Sequence, residues 1–220
     1  MDPSLAPYIA VALIFFFMAF GVPVFAALAL SGAAGIIMVE DFAVIMTRLK
    51  SLPYSTTAVY TLVIIPLFIL MGSFAHHAEV GKKLFQVSSK WVGHLPGGLA
   101  MASILTSAGF AATSGSSVAT AATVGSVALP EMKKAGYEPS LAAGAVAAGG
   151  VLGVLIPPSV LLIFYAALTE TSAGKMLIAG FVPGLLTTVV FMIGIYFIAK
   201  NGASRNAVTP RAGWGEAVVG

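Results

Sequence analysis

Two kinds of residue are missing or scarce in this 220-residue sequence, and each absence excludes a class of protein. There is no cysteine, so disulfide bonds and thiol redox chemistry are excluded. Charged residues make up only 9% of the chain, against about 25% in a typical soluble domain, whereas 59% of the residues are hydrophobic. The composition therefore predicts an integral membrane protein built from α-helices.

The residue arrangements on which enzymes depend are also missing. We find no nucleophile–base arrangement, phosphate-binding loop or metal-binding motif, so we expect neither an enzyme nor an organic cofactor. His76, His77 and His94 have no cysteine or acidic cluster beside them, so we expect polar residues at membrane edges rather than metal ligands. No basic segment precedes the first apolar run, so no cleavable signal peptide is predicted, and we expect no nucleic-acid partner.

Long uncharged runs define the candidate membrane spans, and they cover residues 3–39, 51–78, 91–130, 140–169 and 176–199. A helix needs about 20 apolar residues to cross the hydrocarbon core. The segments 57–75 and 176–199 therefore each predict one span, the first with a kink at Pro66. The first run is long for one crossing and short for two. Its Gly21-Val22-Pro23 turn favours two short spans, and one long span is the alternative.

The third run contains an uncharged stretch rich in Thr, Ser and Gly, GFAATSGSSVATAATVGSVALP at 109–130. As one helix, the run of about 40 residues would reach about 60 Å, roughly twice the thickness of the core. Split at 113–117, its halves 99–112 and 118–129 are each about 18–21 Å long, too short to cross alone. We therefore predict a re-entrant helical hairpin.

The positions of the basic residues agree with a hairpin. If the third run folds back, the loops 79–90, 131–138 and 200–211 share one side of the membrane. These loops carry eight of the eleven basic residues: Lys82, Lys83, Lys90, Lys133, Lys134, Lys200, Arg205 and Arg211. If the run crosses once, the division becomes seven against four. The positive-inside rule therefore favours a hairpin with a cytoplasmic base, beside an amphipathic helix at 79–90.

The fourth run contains a second interruption, GGVLGVLIPPSV at 149–160. Pro157 and Pro158 cannot donate backbone hydrogen bonds, and Gly149, Gly150 and Gly153 loosen the preceding turns. This pattern predicts two half-helices joined by an unwound segment, which is tolerated at membrane depth only inside protein or beside a water-filled cavity. A simple proline kink is the alternative.

Two interrupted helices in succession are typical of secondary transporters, whose binding sites lie at such breaks. Carbonyl groups that end the segments 99–112 and 143–153 attract cations, and N–H groups near Ser117 and Ser159 attract anionic substrate groups. Ser and Thr hydroxyls add oxygen ligands of the kind that Na⁺ prefers without placing a charge in lipid. No Asp or Glu lies inside a predicted span, which disfavours H⁺ as the coupling ion. From these residues alone, an ion-binding tip and close packing of small residues are equally open.

Five segments together resemble the large membrane (DctM-like) subunit of the tripartite ATP-independent periplasmic (TRAP) transporters, over about residues 20 to 200. They are GVPVFAALALSG at 21–32, IPLFILMGSFAHHAEVGKKL at 65–84, WVGHLPGGLAMASIL at 91–105, TSGSSVATAATVGSVALPEMKKAGY at 113–137 and AAGGVLGVLIPPSVLLIFYAALTETSAGKMLIAGFVPGLL at 147–186. The GSS tip followed about 40 residues later by IPPS is highly specific to the family.

This resemblance implies an all-α membrane fold that forms one inverted-topology repeat of an elevator-type transporter. The implied activity is Na⁺-coupled import of organic acids, C4-dicarboxylates or related carboxylates, across the bacterial inner membrane. The implied Na⁺ site comprises Ser114, Gly115, Ser116, Gly149, Gly153 and Pro157. The implied substrate contacts are Thr113, Ser117 and Ser159. The implied partners are a small (DctQ-like) membrane subunit, a periplasmic (DctP-like) substrate-binding protein and membrane lipid.

The family's large subunit is about twice this length and contains two such repeats, so we expect this chain to be one half of a subunit. A non-transporting membrane scaffold or assembly subunit is the alternative function. The expected organisation is N-terminal scaffold spans and a loop (1–56), a third span with an amphipathic arm helix (57–98), the re-entrant hairpin with its exit loop (99–139), the broken helix and final span (140–200), and a connector (201–220).

Overall fold

The computed structural model describes residues 5–40 and 42–201, and over these ranges its regular structure is entirely helical. The helices are α1 (Ala6–Ala19), α2 (Val24–Val39), α3 (Phe42–Thr57), α4 (Ile64–His77), α5 (Val80–Val92), α6 (Gly98–Ser114), α7 (Ser117–Lys134), α8 (Pro139–Leu155), α9 (Val160–Leu168) and α10 (Ala173–Asn201). A 3₁₀ turn, Tyr60–Val63, precedes α4. The all-helical class is therefore confirmed. Nearly all of the expected connector at 201–220, with Arg205 and Arg211, lies outside the described residues.

The chain divides into two compact units between Val59 and Tyr60. In the first unit, Gly21 at φ +78° ends α1 and lets the chain turn into α2, so this run forms two short helices as favoured. Helix α3 occupies a region for which we expected only a loop. Its polar residues make the segment unlike a membrane span. Phe42, Ile45 and Leu49 nevertheless recur at helical spacing, and Ile45 is buried.

In the second unit, the expected span at 57–75 begins later than predicted, because Thr57 ends α3 and α4 begins only at Ile64. The expected kink at Pro66 is wrong. Pro66 lies in the first turn of α4, where its missing N–H removes no helical hydrogen bond. The chain bends by 64° between α4 and α5 instead. Helix α5 confirms the predicted amphipathic helix, with Phe85 buried and Lys83 exposed.

Helices α6 and α7 form the predicted hairpin, joined by a turn of two residues, Gly115 and Ser116. They contain 17 and 18 residues, about 25–27 Å each, so both are longer than predicted. Helix α7 continues through Pro130, although the proline leaves the exposed Ser126 without a helical donor for its carbonyl. The depth of the hairpin in a membrane stays a prediction.

Helix α6 is the centre of the second unit, and most of its side chains are buried between α5, α7, α8 and α10. The predicted broken helix is present as α8 and α9, which meet at 41°. Among the described residues, α10 alone is long and apolar enough to cross a membrane, and the total reaches three if the bent pairs α4–α5 and α8–α9 each form one span.

The basic segments of the second unit meet at one end, the base of the hairpin. A Cβ placed on Gly97, just before α6, would lie 2.7 Å from Cβ of Ala199 near the end of α10. The Tyr137 hydroxyl, in the loop after α7, accepts a hydrogen bond of 3.1 Å from the Leu99 N–H. This geometry supports the common end predicted from charge, and the side of the membrane on which it lies stays a prediction.

Candidate functional site at the contact between hairpin tip and helix break

The tip of the hairpin has the conformation that its glycine and serine residues favour. Gly115 ends α6 at φ +60°, in the left-handed region where a side chain is strained. Ser116 is extended and begins α7, and its side-chain oxygen accepts a hydrogen bond of 3.3 Å from the Ala119 N–H. The tip therefore stops one helix and starts another within two residues.

The break in the second element has a similar design. Ile156 is extended after α8, and Pro157 and Pro158 have no N–H with which to continue the helix. Ser159 is extended and fully buried, and its side-chain oxygen accepts a hydrogen bond of 3.4 Å from the Leu162 N–H in the first turn of α9. The two prolines thus end one half-helix and the serine begins the next.

The hairpin tip lies directly against this break. The Val160 N–H donates a hydrogen bond of 3.4 Å to the Gly115 carbonyl. A Cβ placed on Gly115 would lie 2.6 Å from the Pro158 carbonyl oxygen, a distance that side chains do not tolerate. Glycine at position 115 is therefore required both by its φ and by the closeness of the break.

Helix α8 approaches the hairpin as closely as it does because it has glycine at the contacts. A Cβ on Gly153 would lie 2.6 Å from the Ser116 carbonyl oxygen and 2.7 Å from the Thr120 hydroxyl oxygen. The same Thr120 oxygen is 2.8 Å from the Ser114 hydroxyl oxygen, and both side chains are buried. Oxygen atoms from α6, the tip and α7 therefore face the last turn of α8.

We name this group the junction oxygens: the hydroxyls of Ser114 and Thr120 and the carbonyls of Gly115, Ser116 and Pro158. None of these residues carries a charge. The carbonyl ends of α6 and α8 lie at or near this contact and add partial negative charge. The N-terminal ends of α7 and α9 begin beside it and carry partial positive charge. This arrangement can attract a cation and an anion at neighbouring positions.

The structure brings together four of the six residues expected to bind Na⁺. Ser114, Gly115, Ser116 and Gly153 meet at the junction. Gly149 does not join them: it lies more than a turn before the end of α8 and packs against the Ser107 hydroxyl of α6.

Pro157 also lies apart from the junction oxygens. Its ring faces α10, where Cγ is 3.6 Å from a Cβ placed on Gly180. The neighbouring Pro158 carbonyl faces the tip instead. Ion binding by any of these residues stays a prediction.

The three expected substrate contacts have different surroundings. The Thr113 hydroxyl donates to the Phe110 carbonyl within α6. The Ser117 carbonyl faces Gly150 of α8, at 3.3 Å from a Cβ built there, and Ser159 is fully buried. Both half-helices have an exposed side chain in their first turn, Val118 of α7 at 77% and Leu161 of α9 at 61%.

An open cleft leads to the tip along the other side of the hairpin. It holds about 420 Å³ between α4 and the hairpin, and its lining includes Ser114, Ser116 and His76. Nδ1 of His76 lies 3.0 Å from the Thr123 hydroxyl oxygen on α7. The cleft is mostly apolar, and Ser114, Ser116, His76 and Thr123 contribute polar groups to its lining.

Sequence reasoning missed Thr120, Pro158 and Ser107. Thr120 lies four residues after Ser116, one turn into α7, so helical spacing alone could have added it to the tip. Pro158 was noted only as part of the Pro-Pro pair, although its carbonyl makes the contact. Ser107 is fully buried, its hydroxyl has no hydrogen-bond partner, and it faces Gly149. No pattern along the sequence marks Ser107 as different from other serines.

Comparison with known protein families gives one match over almost the whole chain. Residues 11–218 match the family model described as the DctM component of the tripartite ATP-independent periplasmic transporter. The matched range includes both the hairpin and the broken helix.

Individual relatives agree with this match. The chain is 45% identical to the C4-dicarboxylate TRAP transporter large permease protein DctM of Pseudomonas aeruginosa, over 79% of this chain and 40% of the relative. It is 38% identical to the protein of the same description from Vibrio cholerae, over 95% of this chain and 46% of the relative. It is 34% identical to the isethionate TRAP transporter permease protein DctMQ of Oleidesulfovibrio alaskensis, over 89% of this chain and 30% of the relative. The chain thus spans less than half the length of these relatives.

Proposed function

Because this chain belongs to the DctM component family of the tripartite ATP-independent periplasmic transporters, we propose that it takes part in Na⁺-coupled import of organic acids across the bacterial inner membrane. The observation that carries the proposal is the direct contact between the hairpin tip and the helix break, where uncharged oxygen atoms of each element lie against the other. Such contacts between interrupted helices are where secondary transporters bind their ions and substrates.

Na⁺ is the coupling ion in this proposal, and the junction oxygens are its ligands. A hard cation prefers oxygen ligands, and hydroxyl and carbonyl groups supply them without a permanent charge in the membrane. The C-terminal ends of α6 and α8 add a favourable field. The cleft beside Ser114 and Ser116 is the route by which the ion reaches the site.

The substrate in this proposal is a C4-dicarboxylate or a related organic acid. Two of the relatives are described as C4-dicarboxylate permeases and a third as an isethionate permease, and isethionate is also an organic anion. No arginine lies in the hairpin or the broken helix. The carboxylate therefore meets N–H groups at the starts of α7 and α9, where the helix dipole favours negative charge.

The hairpin and the broken helix move as one body in the proposed elevator mechanism. Gly150 and Gly153 of α8 allow backbone contact with the hairpin, and the Val160–Gly115 hydrogen bond joins the tip to the break. A site made by both elements keeps its geometry only if they move together. A small membrane subunit and a periplasmic substrate-binding protein complete the proposed transporter.

Sodium-dependent stabilisation of the purified chain tests this proposal. We expect NaCl to raise the unfolding temperature in detergent with a saturable dependence, whereas equimolar KCl and choline chloride do not. Mass action gives about 2.7 kcal/mol of stabilisation at a Na⁺ concentration one hundred times Kd. Gly115→Ala should abolish the sodium effect, because the new methyl group meets the Pro158 carbonyl and separates the tip from the break.

Gly136→Ala is the matched control for backbone strain. Gly136 is also in the left-handed region, at φ +77°, but a Cβ there would meet no atom within 4 Å. Both substitutions should destabilise the chain by about 1–2 kcal/mol through strain alone, and only Gly115→Ala should remove the response to Na⁺. A wild-type chain indifferent to Na⁺ would favour the non-transporting scaffold. An unchanged response to Na⁺ in Gly115→Ala would show that the ion does not bind at the junction.

A further inference from the structure

A second groove lies at the base of the hairpin, away from the junction. It holds about 990 Å³ between α5 and the C-terminal half of α7, which is at the upper end of the range for small-molecule sites. We name it the basal groove and define it by Lys82, Phe85, Lys90, Leu99, Val127 and Lys134. It is distinct from the cleft that leads to the hairpin tip.

The charge of the basal groove is predominantly positive. Lys82, Lys90 and Lys134 line it together with one carboxylate, Glu131. Glu131 is in contact with Lys134 at 2.8 Å, and Lys82 contacts Glu79 at 3.4 Å. Both pairs are solvent-exposed. The side chain of Lys82 is 53% accessible and that of Lys134 is 73% accessible, so each ammonium group can turn towards an added anion.

The groove also has apolar lining. Phe85 of α5 and Leu99 of α6 are buried, and Val127 of α7 lines the groove with them. A soluble anion uses only the lysines of such a groove, whereas a molecule with a charged head and a hydrocarbon body uses both regions. Lysine binds phosphate as a point charge, and it does not require the bidentate geometry of arginine.

The position of the groove points to the same kind of molecule. It lies at the end of the second unit where the loop after α7 and the end of α10 also meet, and where the basic segments converge. Basic clusters of this kind beside membrane helices bind anionic lipid head groups on the cytoplasmic side. Helix α5 is amphipathic and flanks the groove, as an interfacial helix does.

We propose that the basal groove binds one anionic phospholipid of the inner leaflet. Its phosphate contacts Lys82 and Lys134, which lie on different helices, and its glycerol and first acyl carbons cover Phe85 and Val127. The bound lipid joins α5 to the base of the hairpin. This assignment does not depend on Na⁺ binding at the junction, so either proposal can fail without the other.

Lipid titration of the purified chain tests the assignment. Dioleoyl phosphatidylglycerol is added to the chain in dodecyl maltoside, and bound lipid is counted by native mass spectrometry while the apparent Kd is followed by thermal unfolding. Lys82→Gln/Lys134→Gln should raise the apparent Kd about 25-fold, because each lysine near an anionic lipid contributes roughly fivefold in affinity. The charge-retaining Lys82→Arg/Lys134→Arg variant should bind within a few-fold of the wild type.

The chain contains a matched control for this experiment. Lys83 and Lys133 are the sequence neighbours of the two groove lysines, are exposed and do not line the groove. Lys83→Gln/Lys133→Gln removes the same charge from the same helices, and it should leave the Kd for phosphatidylglycerol within about twofold of the wild type.

Three outcomes would overturn the assignment. Equal losses of affinity in the groove and control variants would show a general surface charge effect. Equal binding of dioleoyl phosphatidylcholine, which has the same chains and no net charge, would show a purely hydrophobic contact. Displacement of the lipid by millimolar inorganic phosphate, or the same stabilisation by phosphate alone, would show a simple anion site.

Discussion

Tyr137 ties the end of α7 to the start of α6. Its side chain is buried, and its hydroxyl is the acceptor for the Leu99 N–H. That N–H belongs to the first turn of α6, where no intrahelical acceptor exists. One hydroxyl group therefore satisfies a buried donor and holds the base of the hairpin closed.

Removal of that hydroxyl should measurably weaken the fold. We expect Tyr137→Phe to lower the free energy of unfolding in detergent by about 1–3 kcal/mol, because the buried Leu99 N–H loses its acceptor. Tyr165→Phe is the control, since Tyr165 is exposed and the change should have an effect within about 0.5 kcal/mol. Equal effects of the two substitutions would contradict a structural role for the Tyr137 hydroxyl.

Tyr137 should also make the stability of the fold depend on pH in the alkaline range. Burial raises the pKa of Tyr137, and the hydrogen bond from the Leu99 N–H acts in the opposite direction. The unfolded chain releases this proton near pH 10, whereas the folded chain keeps it to a higher pH. The contribution of Tyr137 is therefore complete below about pH 10 and is lost as pH rises through the raised pKa. The stability gap between wild type and Tyr137→Phe, measured from pH 8 to 11, should narrow above about pH 10.

At the scale of the elements, the hairpin and the broken helix were predictable because their causes are local. The third run is too long for one crossing, and the Pro-Pro pair removes consecutive backbone donors. The bounds were less predictable: α7 runs through Pro130, and α8 ends two residues after the expected Gly153. Helix ends depend on whether exposed carbonyl groups find another donor, and the sequence does not show this.

Gly153 and Gly144 test whether α8 is shaped for its contact with the hairpin. A Cβ on Gly153 would lie 2.6 Å from the Ser116 carbonyl oxygen, whereas one on Gly144 would meet no atom within 4 Å. Gly153→Ala should therefore lower the free energy of unfolding by about 1–3 kcal/mol through overpacking. Gly144→Ala should raise it by about 0.5–1 kcal/mol, because alanine favours the helix. Equal effects of the two changes, measured by unfolding in detergent, would show that close contact does not limit position 153.

At the scale of the whole molecule, the base of the hairpin and the two ends of α10 predict how the second unit is oriented across a membrane. Helix α10 has 29 residues, about 43 Å, which exceeds the thickness of the hydrocarbon core. Its C-terminal end lies beside the base of the hairpin, so Lys175 in its first turn lies at the opposite end. The hairpin base and Lys175 should therefore face opposite sides of a membrane.

Cysteine labelling checks this orientation in a chain that has no native cysteine. Lys83→Cys and Lys133→Cys should react with an impermeant maleimide in inside-out vesicles, and Lys175→Cys should react in right-side-out vesicles, because the positive-inside rule places the basic base in the cytoplasm. Labelling of Lys83→Cys and Lys133→Cys from different sides would refute the hairpin. Labelling of both from the periplasmic side would invert the predicted orientation.

The sequence by itself determined the properties that arise from neighbours along the chain. The scarcity of charge determined membrane character, because an uncompensated charge is costly in lipid. Gly115 and the Pro157–Pro158 pair determined where helices stop, because φ and the missing N–H groups are local properties. The family was also recognisable at this level, since the tip and break motifs lie in short contiguous segments.

Only the tertiary structure decided which groups face one another. It placed Pro158 rather than Pro157 against the tip, added Thr120 to the junction and moved Gly149 into contact with Ser107. It also joined Lys82 and Lys134, which are far apart in sequence, in the basal groove. The physical reason is that these contacts depend on how closely whole helices approach. Close approach requires a small residue at each crossing, and the sequence does not show which positions lie at a crossing until the partner helix is known.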